Sequence, residues 1–280
     1  MYYYILDSQN IDPQKFEQRQ IELQGYLAEF KISGEMGRVT SLRTIADLVE
    51  TASERGVKTL VACGTDDTFN LMLSYIKGRD FTLGFVPLDD DSYLSKILGL
   101  GTIYNSVKTI AARRIEKIDL ATIAGSYFIS YLEFGIATSR IKNLNWWNTL
   151  KALSGGTHKL SIRIDNSYTM DIVCLGGVVA NTRATSSDSE AIANPTDGIL
   201  DLLILEKLNK VEVLRYKEAI IEGRLEKIPG TSVIKCRKIE FLQPLGFPLH
   251  LAGRVLTKVP ATVEIIPRRL RLIVGKSRTF

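Results

Sequence analysis

The most informative chemistry in this sequence lies in two acid-bearing turns. Residues 61–70 read VACGTDDTFN: an apolar run, a Gly-containing turn, then residues that suit a helix. A strand ending in such a turn is a layout that cradles phosphate, because unpaired N–H groups at a helix N-terminus face the anion. Bare glycine normally serves there, since a residue without Cβ lets phosphate approach the backbone closely. Here Gly64 is followed by Thr65, Asp66, Asp67 and Thr68, with Asn70 two residues later. Residues 87–93, PLDDDSY, bring three more acids, Asp89, Asp90 and Asp91. Two like charges about 4 Å apart repel by roughly 4 kcal/mol at an effective dielectric of ~20. Several carboxylates beside a polyphosphate would therefore weaken its binding by orders of magnitude unless a metal intervenes. The same acids precede an apparent helix, SYLSKILG, whose N-terminal N–H groups a carboxylate can cap. The expectation is that the chain's own carboxylates fill an anion site.

The elements that must position these turns follow from periodicity. Residues 2–6 (YYYIL) read as a buried strand, 13–30 and 41–55 as helices, and 57–63 as a strand. A helix over 68–76, a strand over 81–87 and a helix over 91–98 complete the first part. Leu42, Ile45, Leu48, Val49 and Ala52 share one helical face in this reading. Strand–helix alternation implies a parallel sheet covered on both faces, with ligands beyond the carboxyl ends of the strands. After residue 118 strands dominate: 159–165, 169–180, 198–205, 238–242, 248–251, 262–266 and 270–274, with helical stretches at 139–153 and 211–226. The fold class expected is α/β plus β: an α/β nucleotide-binding-type domain over 1–118 and an antiparallel β-sandwich domain over 119–280, the last residues packing back on the first.

Composition narrows the function classes. Three widely spaced cysteines, Cys63, Cys174 and Cys236, argue against a disulfide framework, and two histidines with no CxxC or HExxH argue against zinc. No apolar run reaches the length of a bilayer span and no secretory signal is evident, so a cytoplasmic protein is expected. A net charge of +5 is mild, and no nucleic-acid partner is expected from it. The basic tail, Arg268, Arg269, Arg271, Lys276 and Arg278, is either a solvated face or a lipid-headgroup patch.

Five motifs in order resemble the diacylglycerol kinase / sphingosine kinase family of soluble lipid kinases, whose first domain is similar to that of NAD kinases. Residues 64–70 fall in register with the family turn GGDGT-x-N, and 87–93 with P-L-G-T-G-N-D. Lys117-Ile118-Asp119-Leu120 looks like K-x-I-D-L, and residues 197–201 match D-G-x-L-D. Leu251-Ala252-Gly253-Arg254 stands where the family has L-D-G-E, followed by P-x-x-x-E-I-x-P at residues 260–267. The resemblance implies ATP phosphates at the two turns, a metal placed with the help of Asp197 and Asp201, and catalysis by the acids of D-G-E. It implies ATP and magnesium as cofactors if the protein is active, and a lipid or membrane surface as partner; a homodimer is also open.

The departures fall on that chemistry. Thr65 and Asp67 replace two glycines of the first turn, and Asp89, Asp90 and Asp91 replace Gly-Thr-Gly of the second. Ala252 cannot accept a proton, and Arg254 inverts the charge of a glutamate. A missing general base costs about 10²–10⁴ in rate. The expectation is a lipid-kinase-like scaffold with no intact catalytic residues, acting by binding or regulation. The alternatives are an active ATP-dependent lipid kinase and an NAD-kinase-like enzyme. Asp197 and Asp201 read equally as a remnant metal site or as a turn residue and a strand-end acid. Trp146 and Trp147 either pack in the domain interface or touch a membrane, and His250, two residues before Ala252, is the alternative base nearby.

Overall fold

The computed structural model describes residues 1–90, 92–135, 156–182, 193–216, 218–219, 225–251 and 254–280. Strands β1 (Tyr2–Leu6), β2 (Gly34–Arg38), β3 (Thr59–Gly64) and β4 (Thr82–Pro87) are all parallel, in the order β2-β1-β3-β4. Alternation along β1 divides its side chains between two cores. Tyr3 and Ile5 pack with Leu48 and Val49 of α2 (Ile45–Glu54), and Tyr4 and Leu6 pack with Phe16, Leu23 and Leu27 of α1 (Pro13–Glu29). Each such fully buried side chain contributes about 1.5–3 kcal/mol. α2 starts at Thr44, whose hydroxyl and the Asp47 carboxylate form a capping box. Leu42 precedes that cap and is 94% exposed, so it does not share the buried face expected of it.

α3 (Asp66–Tyr75) and α4 (Tyr93–Leu98) follow β3 and β4, and α5 (Ile103–Ala112) packs Ile103, Val107 and Ile110 beside α1. The chain then enters β5 (Ile115–Ile123), β6 (Ser126–Phe128) and β7 (Tyr131–Phe134). Beyond these come β8 (His158–Ile164), β9 (Tyr168–Cys174), β10 (Gly176–Ala180), β11 (Leu200–Leu205), β12 (Thr231–Cys236), β13 (Lys238–Gln243), β14 (Pro248–Leu251), β15 (Arg254–Lys258) and β16 (Ala261–Ile273). A six-stranded antiparallel sheet, β12-β11-β10-β7-β14-β15, stacks on the strands around β13 and β8, and Phe134, Leu160, Leu202, Phe241 and Leu249 fill the space between. The fold is thus an α/β domain with a β-sandwich.

β16 ties the two together. Its first half pairs with β13, its second half pairs in parallel with the start of β4 (Arg271↔Thr82), and β5 runs antiparallel beside both halves. The expected strands at 262–266 and 270–274 are therefore one strand, interrupted by a bulge at Pro267, Arg268 and Arg269. The helix expected over 139–153, with Trp146 and Trp147, lies outside the described residues. Of the one expected over 211–226, α6 (Lys210–Arg215) is described. Among the described residues no helix is long and apolar enough to cross a membrane.

Candidate functional site

The first turn forms where β3 ends. Gly64 is glycine for a packing reason: a Cβ there would come within 2.4 Å of the Thr68 hydroxyl and 3.1 Å of the Asp7 carbonyl. Thr65 caps α3, and the Thr68 hydroxyl accepts from the Thr65 N–H (3.1 Å) while donating to the buried Asp7 carboxylate (2.9 Å). Thr68 and Asp7 therefore pack directly against the Gly64 backbone. Asn70 lies further along α3, and its side-chain oxygen is buried without a hydrogen-bond partner among the described residues.

Asp66 reaches across to the second turn. Its carboxylate accepts from the backbone N–H groups of Tyr93 (2.8 Å) and Leu94 (3.2 Å) and from the Ser92 hydroxyl. The carboxylate on the first N–H groups of α4 is thus supplied by the first turn, whereas the sequence pointed to Asp89, Asp90 and Asp91. Ser92 itself caps the helix, accepting from Ser95 N–H at 2.9 Å. Burial pushes the Asp66 carboxyl up to about 6, against the opposing pull of those donors; the charge of Asp89 adds to the rise. Asp90 turns outward to α1, where Lys15 (2.5 Å) and Arg19 (2.9 Å) bind it and hold its carboxyl below the usual range. Asp91 lies outside the described residues.

The second domain meets this turn through Arg254, whose guanidinium lies 3.5 Å from the Asp67 carboxylate. Both residues are departures from the glycine and glutamate of the motifs, and they compensate one another in charge. Ala252 and Gly253 lie outside the described residues. Nearby, Tyr93 donates its hydroxyl to the Thr182 carbonyl (3.0 Å), and its ring meets Tyr131 edge to face at 5.4 Å.

Tyr131 opens a polar row on one face of the small sheet. Glu133, two residues along β7, stands opposite His250 of β14, and Tyr131 shares its register with Ala180 and Asp201. Glu133, His250 and Asp201 are all buried. The Asp201 carboxylate has the Lys235 ammonium at 3.9 Å. Asp197 is exposed, and its side chain accepts from Ile199 N–H, closing its own turn. Among the described residues no group of three or more His, Cys, Asp or Glu side chains is arranged to hold a metal.

Sequence reasoning gave no role to Asp119, which ties its own strand to the turn before β11 and to the β16 bulge. Its buried carboxylate accepts from Gly198 N–H and Arg268 N–H, both at 2.7 Å, and its own N–H donates to the Pro195 carbonyl. An acid inside an otherwise apolar strand, KIDL, was the available signal. Asp7 and Glu133 were also missed; Glu133 is a single acid between Leu132 and Phe134, and Asp7 ends the apolar run of residues 2–6.

Several groups at the two turns are engaged within the protein. The N–H groups of Tyr93 and Leu94 are taken by Asp66, Asp67 has Arg254 at 3.5 Å, and the Thr65 N–H is bonded to the Thr68 hydroxyl. Comparison with known proteins places the chain. A family model described as the diacylglycerol kinase catalytic domain matches residues 13–123, and one described as the YegS C-terminal NAD kinase beta sandwich-like domain matches residues 146–274. No curated protein matches in sequence. The chain is similar in structure to a diacylglycerol kinase from Bacillus anthracis, at TM-score 0.77 and 15% identity, covering 99% of this chain and 97% of that one. It is also similar to an NAD kinase from Archaeoglobus fulgidus in complex with ATP, at TM-score 0.60 and 12% identity, covering 100% and 96%.

Proposed function

Because the chain belongs to the diacylglycerol kinase/NAD kinase-like family, we propose that it keeps the family scaffold but has left phosphoryl transfer, and acts as a binding or regulatory protein. One observation carries the proposal: acids of the first turn are spent on internal partners, Asp66 on the α4 N–H groups and Asp67 on Arg254. Phosphoryl transfer needs backbone donors for the phosphates, a divalent metal and a group to accept the hydroxyl proton. The donors at α4 are engaged, and alanine stands where the motif has its aspartate. Arg254, the one cation at that segment, has its charge matched by Asp67.

A second reading, an active lipid kinase, draws on Glu133 and His250, a buried carboxylate and imidazole in register two residues from Ala252. Transfer of labelled phosphate from Mg-ATP to diacylglycerol, sphingoid and NAD acceptors separates the two. We expect no transfer above a protein-free blank. Turnover that disappears in both Asp66→Ala and His250→Gln would establish the second reading in place of the first.

A further inference from the structure

The basic tail is not one uniform face. Arg271 pairs with Asp80 and Arg278 with Glu116, whereas Arg268 and Lys117 have no ion-pair partner among the described residues. Those two unmatched cations line one hollow of about 430 Å³, together with Arg278, Glu116, Thr196 and Phe280. Three cations against one carboxylate leave the hollow positive.

Its placement is fixed by the fold. Arg268 sits in the β16 bulge with φ of 52°, and its N–H is held by the buried Asp119 carboxylate. The same carboxylate holds Gly198, two residues after Thr196. Lys117 lies on β5 directly opposite Arg271. The hollow therefore gathers side chains from β5, the β16 bulge, the turn before β11 and the chain's last residues, where the two domains share a sheet. It shares no residue with the acid-bearing turns, and Arg271 pairs with the first residue of β4, whereas the second turn follows its last.

We propose that this hollow binds a phosphate group carried on an apolar or aromatic body. Arg268 presents a guanidinium fork that matches phosphate oxygens and Lys117 adds a compact charge, while the Thr196 hydroxyl proton is donated to Asn194 Oδ1 at 2.7 Å. Arg278 is already held by Glu116 at 2.8 Å and contributes field rather than a free fork. The exposed Ile115 and the ring of Phe280 form an apolar wall for the body of the ligand. Soluble phosphomonoesters and phospholipid headgroups share this chemistry.

Calorimetric titration with inorganic pyrophosphate, and flotation with phosphatidylglycerol or phosphatidylcholine vesicles, test it on the full chain. The double variant Lys117→Gln, Arg268→Gln should weaken binding about tenfold or more, as expected for loss of charge-assisted contacts. Arg237→Gln, an exposed cation elsewhere, should leave it unchanged. Both tail-site side chains are exposed, and an unchanged melting curve would show that the double variant folds. Pyrophosphate binding lost in the double variant supports the site with a soluble ligand. Retention on phosphatidylglycerol alone, lost in the same variant, supports it with a headgroup. Binding equal in the double variant, binding weakened as much by Arg237→Gln, or no binding of either probe overturns it.

Discussion

Burial holds the Asp66 carboxyl near 6, well above the ordinary value of 3.8, although three donors surround it. A folded-state value above the unfolded one means that the native protein keeps a proton the unfolded chain has already lost. The associated stability is fully present below about pH 4 and is lost as pH rises through about 6; the integrated effect is at most about 3 kcal/mol. Asp66→Asn removes this titration. We expect urea-unfolding free energies of wild type minus variant to fall between pH 4 and pH 7, with no such trend if Asp66 titrates normally. Neighbouring acids act differently because their surroundings differ: Asp90 is exposed and held by Lys15 and Arg19, so its carboxyl is lowered. The run DDD looks uniform in sequence; only the three-dimensional neighbours separate a helix-bound acid from the acids that were expected to bind it.

At the scale of elements, Asp119 links three segments of the chain. Its carboxylate satisfies two backbone N–H groups, from the turn before β11 and from the β16 bulge. A hydrogen bond to a charged group contributes about 1.5–3 kcal/mol, and removing the acceptor leaves both donors unpaired. Asp119→Ala should therefore cost about 3 kcal/mol or more in chemical denaturation, and Asp119→Asn less; a loss under about 1 kcal/mol for alanine would contradict the assigned role. Elements with strong periodicity were legible: β1, α1, β3 and β4 stand within a few residues of their predicted spans. β2 was not, because GEMGR has no β-branched run and gains its hydrogen bonds only by pairing with β1 at the sheet edge. α5 was passed over although Thr102 caps it. β12 and β15, mostly exposed and at the two edges of the small sheet, lack the alternation that would reveal them. The candidate site was legible as a set of residues in the two turns, but not as contacts. The pairing of Asp67 with Arg254 joins positions far apart in sequence, and only the fold brings them together.

For the whole molecule, the shared strand is the decisive feature. β16 and β5 cross from the parallel sheet into the sandwich, so neither part can lose its strand without exposing an edge of the other. Calorimetry should show a single unfolding transition, its van't Hoff enthalpy equal to the calorimetric one. Two separated transitions would mean that β16 does not couple the domains. The same continuity holds Arg254 and Asp67 across the junction and makes their compensation possible. A diacylglycerol kinase-like fold thus carries two acid-bearing turns in which Asp66, Asp67 and Asp90 have partners within the protein.

Calorimetric titration of the full chain with Mg-ATP tests that substitution most directly. With the α4 N–H groups held by Asp66 and Asp67 held by Arg254, we expect no saturable heat at nucleotide concentrations up to the millimolar range, and no rise in melting temperature. Saturable micromolar binding that is lost in Asp66→Ala would contradict it, because the nucleotide would then be using the turn that the protein's own carboxylates fill.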